Sequence, residues 1–530
     1  MPLSEIKEIG FKHWWPQNQF VTRVLTSARI GGISHQTNIG PGNLLTQINL
    51  WSITHRVGAA CASTTTGITP FRVGPTDISL FHNSRDSLAG SGFGNNWSAT
   101  FDESITEEGG TGHCVHRDAS GAEYFYTKSG SVFTSPAGMP TLLTKVASTF
   151  YLLDKHAHSL RTFNSSGKLI EIKDVNQNLF RIKRDGSNKI TSVVDVGSDG
   201  TETTLLDSFT YSGSNITQFG LAAAGVYFKF AFTSGKLTAI TLPDATTIGM
   251  TYTGDKLATI VDPNGKTTTF TTYDGSNRPT VITNAMSPAK TLNFNWDDVN
   301  KKVTVTDERG AGFDWIYERN NDTNFNLTKF TDAESKISQW TWDTTKNLMT
   351  QFTDPRDTVP SPVKTNYTWD TTNLALTQIS DPYSKTTDMA YGTDSIGNVY
   401  RLSSSDPLGR KTVYTVDGAF NITAVTSPGL HTTRYTRNRQ GDVIKTTDPE
   451  GLVTESQFDS VHGVVIGSHR LVVVAPTKPG APPGVTLGRG AGSPTGPAAP
   501  PLAAVPIRTD TLTADDVTTL VVSTVFQYNV

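Results

Sequence analysis

Apolar and polar positions alternate with a period of two along most of this chain, and the alternation is broken at regular intervals by polar turns. Asp262-Pro263-Asn264-Gly265 is such a turn; Lys266-Thr267-Thr268-Thr269-Phe270-Thr271-Thr272-Tyr273 follows, and Asp274-Gly275 closes the unit. Proline presets φ at the second turn position, and glycine accepts the positive φ that ends the turn. Threonine and aromatic residues suit a pleated, half-buried surface. The pattern predicts a strand flanked by tight turns, and it recurs. Turn anchors fall at Asp174, Asp195, Pro243-Asp244, Asp262, Asn284, Asp307, Asp332, Asp354, Asp381, Asp406, Ser427 and Asp448, with most steps between about 20 and 27 residues. The step from Asp195 to Asp244 is about twice as long, and Phe219-Gly220 marks a degraded unit inside it.

Each unit keeps one internal order. An aromatic residue followed by Asp or a small residue comes first, as in Tyr273-Asp274, Trp296-Asp297, Trp342-Asp343, Trp369-Asp370 and Tyr391-Gly392. A Gly or Asn turn and a Leu/Ile/Val strand follow. An Asp-Pro turn then leads to a Thr-rich strand ending at the next aromatic. The structural turn residues are Asp262, Pro263 and Gly265; Asp354 and Pro355; Asp381 and Pro382; Asp406, Pro407 and Gly409; and Asp448, Pro449 and Gly451. The aromatic ladder is Tyr252, Tyr273, Trp296, Trp342, Trp369 and Tyr391. One such hairpin cannot bury a core. Many in register can, each touching mainly its neighbours, and a sheet of that length must curl or close. The expected class is all-β: a long antiparallel sheet of stacked hairpins, coiled into a wall.

The recurring aromatic-Asp…Gly-x-Leu…Asp-x-x-Gly pattern resembles the YD repeats of the bacterial Rhs family, whose relatives include polymorphic toxins, wall-associated proteins and the shells of insecticidal toxin complexes. The copies that carry the likeness are residues 167–174, 262–274 and 406–417. Leu80 to Trp97, with Phe81-His82-Asn83-Ser84 and Gly92-Phe93-Gly94-Asn95-Asn96-Trp97, resembles the strand-rich lead-in before the array in that family. The resemblance implies a spiral antiparallel sheet forming a partial shell or open barrel, and a non-enzymatic scaffold that encloses or presents a polypeptide in a bacterial secreted or surface toxin system. Its partners would be an enclosed cargo polypeptide or a second shell subunit. In the family the shell often encloses a C-terminal toxic domain released by self-cleavage. The closing signature, Arg-Tyr-Tyr-Asp-Pro followed by Gly-Arg-Phe or Gly-Arg-Tyr, is absent here, so no residue takes the self-cleaving aspartate role. That departure predicts a truncated, split or degraded member that aggregates or dimerises through a sheet edge left open near Phe458.

The division expected from these patterns is an irregular segment over 1–41, a lead-in over 42–160, the array over 161–459, a Pro/Gly/Ala-rich linker over 460–508 and a short segment over 509–530. Composition narrows the function classes. A net charge of −3 without a long basic run argues against a nucleic-acid face. No run of about 18 apolar residues predicts a membrane helix. Met1 to Trp15 has no apolar signal core, so a secreted or surface location would be reached without a recognisable leader. The two cysteines, Cys61 and Cys114, form no CxxC pair and read as free thiols.

Candidate chemistry is sparse. No Gly-x-Ser-x-Gly elbow, Walker loop or His-Glu-x-x-His stands in the chain. The recurring Asp residues sit at turn positions, where Asp bonds its own backbone. His113 and His116 flank Cys114 but lack a second ligand pair at finger spacing. His156 and His158 read as alternating on one strand face. No catalytic residue, cofactor or metal ligand is assigned. Two alternatives stand beside the scaffold: a cell-surface adhesin that stacks sugar rings on the aromatic rows, and an enzyme whose site the sequence does not show.

Overall fold

The structure is a computed structural model that describes residues 23–25, 33–38, 43–52, 77–84, 92–196, 200–284, 289–320, 325–355, 363–438, 441–458, 465–473 and 519–525. It is all-β apart from one 3-10 turn, Ala222–Ala224. A 31-stranded antiparallel sheet runs in strict chain order from Thr141–Val146 to Thr519–Val525 and does not close on itself. Two small sheets precede it. One has five strands, Arg23–Leu25, Ile33–Asn38, Leu44–Ser52, Asp77–Asn83 and Trp97–Ala99. The other has four, Ser104–Glu107, Cys114–Arg117, Glu123–Ser129 and Val132–Thr134. No helix among the described residues is long and apolar enough to cross a membrane.

The period-two pattern sets the long sheet's faces. Cross-strand partners on the inner face include Met250 with Ile260, Phe270 with Ile282, Phe294 with Val305 and Trp340 with Phe352. The outer face is dominated by threonine, with hydroxyl pairs such as Thr251–Thr259 at 2.6 Å and Thr210–Thr217 at 2.9 Å. Curling has a local cause. The register slips beside the aromatic position in unit after unit: at Phe232, Tyr252, Trp342, Trp369, Tyr391 and Arg437. A bulge bends its strand and adds right-handed twist, and bulges repeated at one register bend the whole sheet the same way.

Several boundaries differ from the sequence reading. The long sheet begins at Thr141, not near 161, because its first hairpin turns on Ala147 at φ 52° and carries no Asp-x-x-Gly signal. The expected irregular segment contains the strands Arg23–Leu25 and Ile33–Asn38. Phe458 is not at an open edge: Val453–Phe458 pairs with Val465–Val473, which pairs with Thr519–Val525. The strand Val465–Val473 falls where a linker was expected; the Pro/Gly/Ala-rich stretch after it, like Met1 to Trp15 and Cys61, lies outside the described residues. The double-length step after Asp195 holds two hairpins, Glu202–Ser212 with Asn215–Leu221 and Val226–Thr233 with Lys236–Thr241.

Candidate functional site

The turns alternate between two edges of the sheet. One set, here the upper edge, comprises residues 155–158, 175–178, 242–246, 262–266, 332–336, 381–385, 406–410, 427–431 and 448–452. The other, the lower edge, comprises 164–168, 185–189, 234–235, 254–255, 274–278, 343–347, 370–374, 394–398, 417–421 and 438–442.

The Asp-Pro residues head upper-edge turns. Asp262 Oδ1 accepts from the backbone N–H of Asn264 at 2.9 Å and of Lys266 at 2.8 Å. Asp381 does the same for Tyr383 and Lys385, and Asp406 for Leu408 and Arg410. Asp448 accepts from Leu452 N–H at 2.7 Å. Pro263, Pro382, Pro407 and Pro449 hold the second position, and Gly265, Gly409 and Gly451 adopt φ of 75°, 76° and 86°. Asp354-Pro355 opens a longer connection, closed by Asp354 N–H to Val363 O at 2.8 Å. The Asp after each aromatic repeats this chemistry on the lower edge: Asp274 Oδ1 takes Ser276 and Arg278 N–H, both at 2.9 Å.

The aromatic positions turn their polar tips back onto the preceding unit. Tyr252 donates to Leu237 O at 2.6 Å and Tyr273 to Leu257 O at 2.8 Å. Trp296, Trp342 and Trp369 donate from Nε1 to Pro279 O, Leu327 O and Met349 O, at 2.8, 2.8 and 2.7 Å. Where the aromatic is lost, Arg437 Nε fills the role on Ile422 O at 3.0 Å. Tyr391 departs from the series, its hydroxyl lying 3.8 Å from Met389 Sδ. Tyr391 apart, these rings are half-buried with their polar tips stitched to backbone. Tyr273→Phe should therefore cost about 1 kcal/mol, the net worth of one such bond, while Tyr391→Phe, which loses only a long 3.4 Å bond from Arg401 Nη2 and a sulfur contact, should cost less; equal losses would refute the stitch.

The sheet coils far enough for its second winding to stack on its first. Val399 N–H bonds Lys155 O at 2.9 Å. His156 Nε2 reaches Asn373 O and His158 Nε2 reaches Val399 O, both at 2.8 Å, across 217 and 241 residues. The amides of Asn176 and Asn421 pair across 245 residues. The two histidines lie in a turn, not on the strand face expected, because residues 155–158 connect two strands; there they carry the lower edge of the winding above.

The lead-in fills the end of the first winding. Its residues meet successive lower-edge units: Ile105 N–H to Gly167 O at 2.8 Å, Gly92 O to Ile216 N–H at 2.6 Å, Asn96 to Asp255 O at 3.4 Å and Ser84 to Asn277 O at 3.3 Å. Trp97 Nε1 donates to Tyr252 Oη at 2.8 Å. Phe93 packs on Phe219 and Phe230, and His35 on Phe270. A charged cluster braces the junction: Glu103 lies 3.1 Å from Arg161 Nε and 3.3 Å from His116 Nε2. Burial alone would raise the Glu103 carboxyl, but Arg161 and His116 outweigh it and hold it at about 2. His116 is thus a hydrogen-bond partner of Glu103. Cys114 is a buried free thiol, pushed up to about 11 by burial first and then by Glu107. No group of three or more potential metal ligands converges among the described residues.

The inner face changes character along the chain. In the first winding Met250, Ile260, Phe270, Ile282 and Phe294 are buried beneath the lead-in and its neighbours. In the second winding the same register positions, Tyr367, Ile379, Met389, Tyr414, Val425 and Tyr435, stay part-exposed. Their cross-strand neighbours there are Thr387, Ser404, Thr433 and Thr446, where the first winding has Ile248, Ile260, Ile282 and Leu292 beside Thr268. The wall beyond the lead-in is thus a mixed aromatic and hydroxyl surface, the residues that sequence patterning did not single out.

Comparison with known proteins gives one family match: the RHS Repeat model matches residues 253–285. That stretch spans the stitch of Tyr273 and the Asp262 turn. No curated protein matches the chain. Among solved structures, TcdB2-TccC3 aligns with 80% of this chain at 10% identity and a TM-score of 0.29, and TcdB2-TccC3-Cdc42 at 12% and 0.30. The Photorhabdus luminescens Tc holotoxin pore aligns at 11% identity and a TM-score of 0.29. The chain spans about a quarter of the length of each of these structures, 23 to 24%.

Proposed function

We propose that this RHS-repeat chain is a non-enzymatic β-shell scaffold that encloses or presents another polypeptide, as part of a bacterial toxin system acting outside the producing cell. The observation that carries the reading is the inner wall of the second winding. A coiled sheet normally buries its apolar face, yet Tyr367, Met389, Tyr414 and Tyr435 remain part-exposed beside threonine and serine. Side chains of that kind give contact area without a fixed hydrogen-bond code, which suits an unfolded or variable chain more than one defined ligand. Its partners are then a cargo polypeptide against this wall or a second shell subunit. The mechanism is containment: the polypeptide is held on the inner face, and no bond is made or broken.

The test uses the full chain and a labelled, permanently unfolded probe, reduced and carboxymethylated lactalbumin. Fluorescence anisotropy should show binding, and Tyr367→Ser/Tyr414→Ser/Tyr435→Ser should weaken it about tenfold or more, equivalent to about 1.4 kcal/mol. No binding, or binding indifferent to these substitutions, would overturn the reading.

A further inference from the structure

We propose that the upper rim of the second winding is a self-association surface, on which a second copy of this chain seats its own upper rim so that the two open ends face each other. On the first winding the upper-edge turns at residues 155–158 and at Asn176 support the lower edge of the winding above. That seam is made by the polar side chains of His156, His158 and Asn176, with His158 also packed on Phe420. One winding later the same rim carries Tyr383, Leu408 and Leu430, exposed by 84%, 76% and 84%.

These tips have little else to offer a partner than apolar area. The N–H groups of Tyr383 and Leu408 are taken by Asp381 and Asp406, and that of Leu430 by Ser427 O. Neighbouring upper turns are two strands apart, so the three tips form a row about 20 Å long. The charges around them are of both signs. Asp381 opens its turn and Lys385 closes it; Asp406 and Arg410 repeat the order. Arg410 pairs with Asp406 inside its own turn at 2.6 Å, so the rim presents both signs with little net charge to repel a twofold-related copy. An isologous contact needs only one self-complementary patch and closes after two copies.

The lower edge is a poorer candidate. The lead-in covers its first winding from Gly167 to Asn277, and the first winding covers the second at Asn373, Val399 and Asn421. The inference deepens the partner half of the scaffold reading and is separable from its cargo half, because the rim residues lie on turns and the cargo wall on the inner face.

Light scattering on the full chain over a dilution series should give twice the 57.3 kDa chain mass at high concentration. Tyr383→Asp/Leu408→Asp/Leu430→Asp should give 57.3 kDa throughout with an unchanged circular dichroism spectrum and urea midpoint. The control Val299→Asp, at an 89% exposed lower-edge position, should still dimerise. A wild-type monomer at every concentration, open-ended polymers, or a triple variant that dimerises as wild type does would overturn the proposal. Loss of the dimer in the triple variant with probe binding intact would separate the two readings.

Discussion

Gly167→Ala should detach the lead-in from the array and lower the urea midpoint by far more than Gly265→Ala does. Gly167 has φ +70°, and a Cβ there would stand 1.8 Å from Ile105 O. That oxygen belongs to backbone, so nothing flexible can yield. The same place carries the docking bonds Ile105 N–H to Gly167 O at 2.8 Å and Leu169 N–H to Glu103 O at 3.1 Å. Forcing the strands apart would break both and unseat Glu103 from Arg161, leaving a buried carboxylate short of its partner. Loss of one member of such a pair costs about 3–5 kcal/mol. Gly265→Ala is the comparison: its φ is +75° and no atom lies within 4 Å of the added methyl. Only the left-handed backbone is penalised there, at about 1–2 kcal/mol. Chemical denaturation of both variants decides the matter. Equal shifts would mean that the junction at Ile105 contributes nothing beyond backbone strain.

That contrast also marks what the sequence makes legible. Gly265 is readable because Asp262-Pro263-Asn264-Gly265 is a local device: every bond it makes lies within five residues. The same holds for the alternation that assigns Phe270 and Ile282 to one face. The aromatic positions are readable one step further, since each stitch reaches back 15 to 20 residues, one unit. Gly167 is not readable in this way. Its turn resembles the others, and what distinguishes it is Ile105, a lead-in residue brought alongside by a separate sheet. His156 and His158 pose the same problem at greater range. Their acceptors lie 217 and 241 residues away, at a distance fixed by the summed bend of some twenty strands rather than by any local signal. A change of a few degrees per bulge would move the seam to another turn. The open inner wall was hidden for a related reason: Tyr367 and Phe270 occupy the same pattern position, and only the reach of the lead-in separates them.

Acidification should unfasten the same junction from within as the pH falls below about 6.5. His35 and His82 are both buried, with 2% and 0% of their surfaces exposed. His35 bonds Thr46 Oγ1 at 2.9 Å and packs on Phe270. His82 lies against Trp97 and Tyr252, with the Asp255 carbonyl as the polar neighbour of its ring. Burial lowers both to about 3, helped for His35 by His82 and offset for His82 by the nearby Asp255 carbonyl. Groups facing the pair from the lead-in and the array include Thr46, Trp97, Phe270, Tyr252 and that carbonyl. The unfolded chain takes up protons near 6.5 and the folded chain does not, so stability is full above 6.5 and falls as pH drops toward 3. Each pH unit costs about 1.4 kcal/mol per histidine, or roughly 5 kcal/mol for both by pH 4.5. Glu103 acts in the same direction only lower, between its ordinary value and about 2, while the raised carboxyls of Asp102 and Asp154 oppose it. Trp97 fluorescence against pH should show a transition near pH 5. His82→Phe keeps the ring packing and removes one titrating group, so its midpoint should move to lower pH with no loss of stability at pH 7.5. An unchanged midpoint in that variant would place the acid sensitivity elsewhere and sink this account.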